Sequence, residues 1–178
     1  VMDTAPTLNC GSVFVDWKSG MILVGTGEIN SSRSSYAGIG LLQSFDKGKT
    51  WKNIGLTDSH HISKILVNPK NSQEIVVGVA GHLYTKNKER GVFKTTDGGK
   101  SWQQVLFVND ETGVIDMAVA ESNFTVMYAS AWQKDRKAHN FNGNGKASGI
   151  YKSTDAGLTW QLISTPESGF PSDEFVGR

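Results

Sequence analysis

Apolar residues along this chain come in short runs, and nearly every run stops at glycine, asparagine, aspartate or serine. Residues 22–25, 75–80 and 126–131 are dense in Val, Ile, Leu and Ala, and residues 40–42, 91–93 and 149–151 each begin with glycine followed by two hydrophobics. Short β-branched and aromatic runs bounded by turn formers predict strands. The chain is therefore expected to be nearly all β.

The runs recur in a fixed order around a sharper signal. Three segments align without gaps: Ser44-Phe45-Asp46-Lys47-Gly48-Lys49-Thr50-Trp51, Thr95-Thr96-Asp97-Gly98-Gly99-Lys100-Ser101-Trp102 and Ser153-Thr154-Asp155-Ala156-Gly157-Leu158-Thr159-Trp160. Their aspartates lie 51 and then 58 residues apart, which suits a four-stranded unit with one variable loop better than a pair of helices. Naming the strands A to D, the first unit predicts strands near 11–17, 21–27, 39–45 and 50–55. The second predicts 61–67, 74–80, 91–96 and 101–108, and the third 113–120, 125–131, 149–154 and 159–164. Strands A and B are the most apolar, as inner strands covered on both faces should be.

Each conserved position of the repeated turn has a physical reading. An aspartate accepts hydrogen bonds from backbone N–H groups a few residues on, the glycine allows positive φ, and the hydroxyl residue adds a second bond to the backbone. The tryptophan is expected to fold back under the turn and bury its ring. Asp46, Gly48, Trp51, Asp97, Gly99, Trp102, Asp155, Gly157 and Trp160 are thus read as structural. Calcium would require six or more oxygens, more than one turn supplies.

These turns resemble the Asp-box, or bacterial neuraminidase repeat. The runs Gly25-Thr26-Gly27-Glu28, Ser32-Arg33-Ser34-Ser35-Tyr36, Asp58-Ser59-His60-His61-Ile62, Gly81-His82-Leu83-Tyr84, Glu89-Arg90-Gly91, Ala131-Trp132-Gln133 and Asn140-Phe141-Asn142-Gly143 narrow the resemblance to the sortilin/Vps10-type β-propellers of bacteria, often named glycosyl hydrolases for their boxes. The resemblance covers residues 11–164. It implies an all-β propeller fold but no single activity, because Asp-box propellers include sialidases, xyloglucan-cleaving glucanases, a photosystem assembly factor and peptide-binding receptors.

Strand alternation then separates two rims. The A–B turns (18–20, 70–72 and 121–123) and the Asp boxes share one, while the long B–C loops (28–38, 82–90 and 133–148) and the D–A loops (57–61 and 109–113) share the other. Long loops on a rigid scaffold are where recognition concentrates, so any ligand is expected there. Ligand-binding candidates are Arg33, His60, His61, His82, Arg90, Trp132 and Arg136. Arginines from successive units could clamp a carboxylate as sialidases do, although the Arg-Ile-Pro element of sialidases is missing; ion pairs with Glu28 and Glu89 are the plainer expectation. For glycoside hydrolysis two carboxylates must face each other, and Glu28, Asp58 and Asp116 are the candidates, with Glu111 nearby. Trp132 is expected in the core, or stacked on a sugar.

Charge and composition exclude more than they select. The 178 residues carry a net charge of +1, with a pI of about 8.0, so nothing global attracts nucleic acid or an anionic membrane. No run of about 18 apolar residues is present to cross a bilayer as a helix. The single cysteine, Cys10, is expected to be a buried or half-buried thiol. A metal site built from one of His60 and His61 with His82 is the lesser alternative, because the spacing fits no familiar ligand pattern; no metal or cofactor is expected.

Three units (about 11–56, 61–108 and 113–164) leave two open flanks, whereas propellers close with more blades. The tail Phe175-Val176-Gly177-Arg178 resembles the approach to a further inner strand. The expectation is a partial propeller, residues 165–178 linking to a next blade of a ring of six or more. Its role is expected to be extracytoplasmic binding of a peptide or glycan, or alternatively glycoside hydrolysis.

Overall fold

The computed structural model describes residues 5–121 and 123–170; the start of the chain and the tail at 175–178 lie outside them. Three four-stranded antiparallel sheets follow one another in the sequence. The first contains β1 (Cys10–Asp16), β2 (Met21–Thr26), β3 (Leu41–Ser44) and β4 (Lys52–Asn53). The second contains β5 (Ile62–Asn68), β6 (Asn71–Val79), β7 (Gly91–Thr95) and β8 (Gln103–Leu106). In the third, β9 (Thr112–Ala120) and β10 (Asn123–Gln133) are joined by β13 (Gly149–Ser153) and β14 (Gln161–Leu162). The strands of each sheet lie in chain order, the meander of a propeller blade.

Between β10 and β13 the third long loop makes a small ribbon of its own, β11 (Asp135–Arg136) with β12 (Phe141–Asn142). The sequence predicts only loop over this stretch. Two residues per strand leave no periodicity to detect.

The first strands β1, β5 and β9 lie side by side, and the sheets pack face to face behind them. Alternation divides the core in two. Ile75, Val77 and Val79 of β6 join Leu23, Leu41 and Ile62 between sheets one and two, whereas Val76 joins Val92, Val114 and Met127 between sheets two and three. Because β6 is covered on both faces it is apolar at every position from 75 to 79. By contrast β10 buries Met127 and Ala129 but leaves the intervening Tyr128 37% exposed, and Val13 of β1 is 61% exposed. Both outer flanks thus carry uncovered apolar side chains.

The three Asp boxes have one geometry. In the second, Asp97 Oδ1 accepts the backbone N–H groups of Lys100 (2.9 Å) and Ser101 (3.0 Å), and Oδ2 accepts the Ser101 hydroxyl at 2.6 Å. The Thr95 hydroxyl donates to Oδ1 at 2.7 Å and accepts the Gly99 N–H at 3.1 Å. Asp46 and Asp155 repeat the pattern with Ser44 and Thr50, and with Ser153 and Thr159. Gly48, Gly99 and Gly157 sit at φ of 82°, 89° and 81°, where a Cβ is strained. The hydroxyl of Thr50 or Thr159, followed by their backbone N–H groups, holds Asp46 and Asp155 at a pKa of about 2; Asp97, bonded first by Ser101, is held well below the usual range.

The tryptophans differ from expectation. Trp160 bonds back to its own turn through Gly157 O at 3.1 Å, but Trp102 reaches the preceding sheet and donates to Ile54 O at 2.7 Å. Trp102 is a latch between blades as well as a cover for its turn. Trp51 is only partly buried. Cys10 is exposed, contrary to expectation, because it opens the edge strand β1 on an uncovered flank.

Candidate functional site

Antiparallel pairing places the loops at 28–38, 82–90 and 133–148 on the rim opposite the Asp boxes, and there they are bound to one another. Tyr84 donates its hydroxyl to Arg33 O at 2.7 Å. Arg136 donates Nη2 and Nε to Ser31 O at 2.8 and 3.1 Å, and Arg33 Nη1 reaches Ala138 O at 3.4 Å. The guanidinium of Arg136 also lies 3.8 Å above the Phe141 ring, a cation–π contact. First and third loops therefore meet across the second.

The second loop is organised by Asn87 and Arg90. Asn87 Oδ1 accepts the His82 N–H (3.0 Å) and Arg90 Nε (2.9 Å), while Nδ2 donates to Glu89 O (3.0 Å) and Asp58 O (3.3 Å). Arg90, 1% exposed, also donates to Asn87 O, His82 O and Thr85 O. Its pKa falls to about 10, chiefly because it is buried. Arg90 therefore holds the loop from within and does not project toward a ligand. Neither the alternative of a three-arginine clamp nor the plainer expectation of ion pairs with Glu28 and Glu89 is seen: the three arginines are bonded to loop carbonyls. Carbonyls converging from a folded loop satisfy a guanidinium's fixed fork of donors.

Trp132 is likewise withdrawn. It is 4% exposed, its indole N–H donates to Gly143 O at 2.6 Å, and its ring meets the edge of Phe141. It forms the floor of the third loop and is not open to stack on a sugar. Asp116 lies within β9, where Lys64 pairs with it at 3.1 Å, so it is a strand residue and not a rim residue. Glu28 stays on the rim, its carboxylate 3.4 Å from the Tyr36 N–H.

A cleft of about 280 Å³ opens between the second and third loops, with walls that include His82, Arg90, Glu111, Lys134 and Arg136. Lys86 pairs with Glu111 at 2.8 Å and Lys137 with Asp135 at 3.2 Å. Among the described residues Arg90, Lys134 and Arg136 have no carboxylate within ion-pair distance. Lys134 is 6% exposed and donates to His82 O at 3.3 Å; burial, then the charges of Arg90 and Arg136, bring its pKa down to about 8.

Beside the cleft lies a compact group. The turn Thr57–Ser59 is flanked by Leu56 at φ 57° and His60 at φ 55°, left-handed conformations unusual for such residues. This bend lays the His60 ring on that of His82, with centroids 3.6 Å apart and planes 14° from parallel. Asp58 Oδ1 is 3.2 Å from His82 Nε2 and 4.0 Å from His60 Nε2. His61 turns the other way. It is 3% exposed, and burial, followed by the charge of Lys134, lowers its pKa to about 4. Burial, and then Asp58, raises the pKa of the half-buried Glu89.

Residues 40–170 match the family described as Sortilin-Vps10 (sortilin, neurotensin receptor 3). The chain belongs to the Sortilin-Vps10 family. No curated protein matches its sequence. Among solved structures, an ancestral GH74 enzyme is 25% identical over 90% of this chain and 19% of its own, with a TM-score of 0.60. The GH74 enzyme of Niastella koreensis is 20% identical over 87% of this chain and 22% of its own, with a TM-score of 0.51. The Sortilin-Vps10 segment thus spans about a fifth of the length of these β-propeller enzymes. Among the described residues no helix is long and apolar enough to cross a membrane.

Within the Sortilin-Vps10 rim, sequence reasoning passed over Asn87, Thr85 and the burial of Lys134. An asparagine inside a long polar loop was the only signal for the first. Nothing local marked the other two.

Proposed function

We propose that this segment is part of a propeller that recognises an acidic peptide or acidic glycan on its long-loop rim. The observation that carries the reading is the cleft: Lys134 and Arg136 lie in its walls without a carboxylate partner, and the buried Arg90 behind them adds positive charge that no carboxylate pairs. An anionic group entering there meets charge already partly stripped of water, where charge-assisted hydrogen bonds are strong. The loops that form the cleft are tied together before any ligand arrives, so little ordering entropy is lost on binding. The family's description as a receptor supports binding and an extracytoplasmic location. The uncovered flanks at Val13 and Tyr128 support further blades on either side.

The test is a binding panel with the full-length protein: acidic and neutral peptides, and glycans with and without carboxylates. Saturable binding restricted to the acidic members, and weakened at least tenfold in Lys134→Met or Arg136→Ala, is expected. Equal binding of neutral and acidic ligands would reject the reading.

A second reading, glycoside hydrolysis, is favoured by one observation. Burial raises the pKa of Glu89, which lies near the exposed Asp58 carboxylate, as a general acid requires. The likeness to a GH74 enzyme, a β-propeller glycoside hydrolase, supports a glycoside as the substrate. Turnover abolished in Glu89→Gln would establish it over pure binding.

A further inference from the structure

The group formed by Asp58, His60 and His82 is assembled from two loops, and one ligand-type atom from each lies within 4.8 Å of the others. The stack brings both Nε2 atoms near the same carboxylate oxygen, at 3.2 and 4.0 Å; because each nitrogen's lone pair lies in its ring plane, the rings must turn out of their stack to point at one ion. Zinc, with bonds of roughly 2.0–2.1 Å, holds tetrahedral ligands about 3.3 Å apart. The two measured separations bracket that spacing to within an ångström.

The outer contacts agree. His82 Nδ1 lies 2.8 Å from the Thr85 hydroxyl, the second partner that fixes a ligating imidazole's orientation. Glu89 lies within electrostatic reach of both Asp58 and His82, and its Oε2 is buried with no hydrogen-bond partner. A cation placed among these groups would offset that charge.

We infer that Asp58, His60 and His82 bind a divalent first-row transition-metal ion of the zinc class. Two imidazole nitrogens and one carboxylate suit such an ion and not calcium or magnesium, which take oxygen ligands. Binding the metal replaces the contacts of His82 Nε2 with the Asp58 main-chain oxygen (3.0 Å) and carboxylate (3.2 Å). The Asp58 side chain is 69% exposed, so positions facing solvent stay open to water or to an oxygen of a bound molecule. The site is separate from the reading of the cleft, because the metal alone is the probe.

Full-length protein treated with a chelator and dialysed is titrated with Zn2+ by calorimetry and with Co2+ by visible absorption. One saturable equivalent in the micromolar range is expected. Asp58→Asn, His60→Ala and His82→Ala should each weaken it at least about 100-fold, and Thr85→Val about tenfold. His139→Ala, which removes a histidine outside the group, should leave it unchanged. Asp58→Asn alters an exposed side chain, so an unshifted thermal transition in that variant separates loss of metal from loss of fold. Absence of the equivalent, or its persistence unchanged in Asp58→Asn and His60→Ala, overturns the inference.

Discussion

Trp102→Ala tests the division of labour between the rims, because Trp102 belongs to an Asp box yet fastens two blades together. Its indole N–H donates to Ile54 O at 2.7 Å, and its ring packs against the core between sheets one and two. A Cβ added to Gly55 would come within 2.9 Å of the ring, so the fit to the preceding sheet is close. Truncating a buried tryptophan to alanine costs about 3–5 kcal/mol; Trp102 is only partly buried, so about 3 kcal/mol is expected. About 1 kcal/mol of that is the hydrogen bond. Trp102→Phe keeps most of the apolar contact and should lose only that smaller part, about 1–1.5 kcal/mol with the imperfect refilling of space.

The measurement is the urea midpoint of the full-length protein at unchanged slope, read together with hydrogen exchange at the Ile54 amide, which donates to Leu41 O at 2.9 Å. Exchange there should accelerate in Trp102→Ala more than at the inner strands of the third sheet. Ligand affinity of the folded fraction should not change. Affinity lost while the midpoint stays fixed would refute the assignment of a structural rim and a recognition rim. A midpoint loss below about 0.5 kcal/mol would refute the latch.

Other expectations follow from the same structure. Folded-state carboxylate pKa values near 2 in the boxes lie below the ordinary value near 3.9, so the boxes contribute stability above about pH 4 that disappears as pH falls toward 2; Asp97→Asn should flatten that acid limb in a denaturation midpoint-versus-pH series. Ala156 occupies φ 60° where the second box has Gly98 at 73°, so Ala156→Gly should raise the denaturation midpoint, by about 0.5–1 kcal/mol once backbone entropy is deducted from relieved strain. Arg90→Met leaves the carbonyls of His82, Thr85 and Asn87 without their donor and should cost about 3 kcal/mol. It should also expose residues 82–90 to limited proteolysis.

Local chemistry was legible in the sequence because it repeats. The Asp-box turn is set by atoms within a few residues of one another: a carboxylate, a hydroxyl and a glycine with positive φ. Its three occurrences marked the strands, and the observed strands lie within a few residues of those expected. The continuous apolar run of β6 declared a strand covered on both faces, and antiparallel alternation placed the long loops on the rim opposite the boxes.

Tertiary structure decided what no spacing encodes. His60 and His82 are 22 positions apart, and only the left-handed bend at Leu56 and His60 brings their rings into contact with each other and with Asp58. Arg33, Arg90 and Arg136 looked alike as loop cations, but the acceptors they meet belong to the folded loops, and these make them fasteners. Cys10 is exposed where a half-buried thiol was expected, since burial depends on which sheet lies opposite and a strand's own sequence does not specify its neighbour. The sequence determined the blades because a turn is a short-range object; the site arises from contacts between loops, and only packing the blades together creates it.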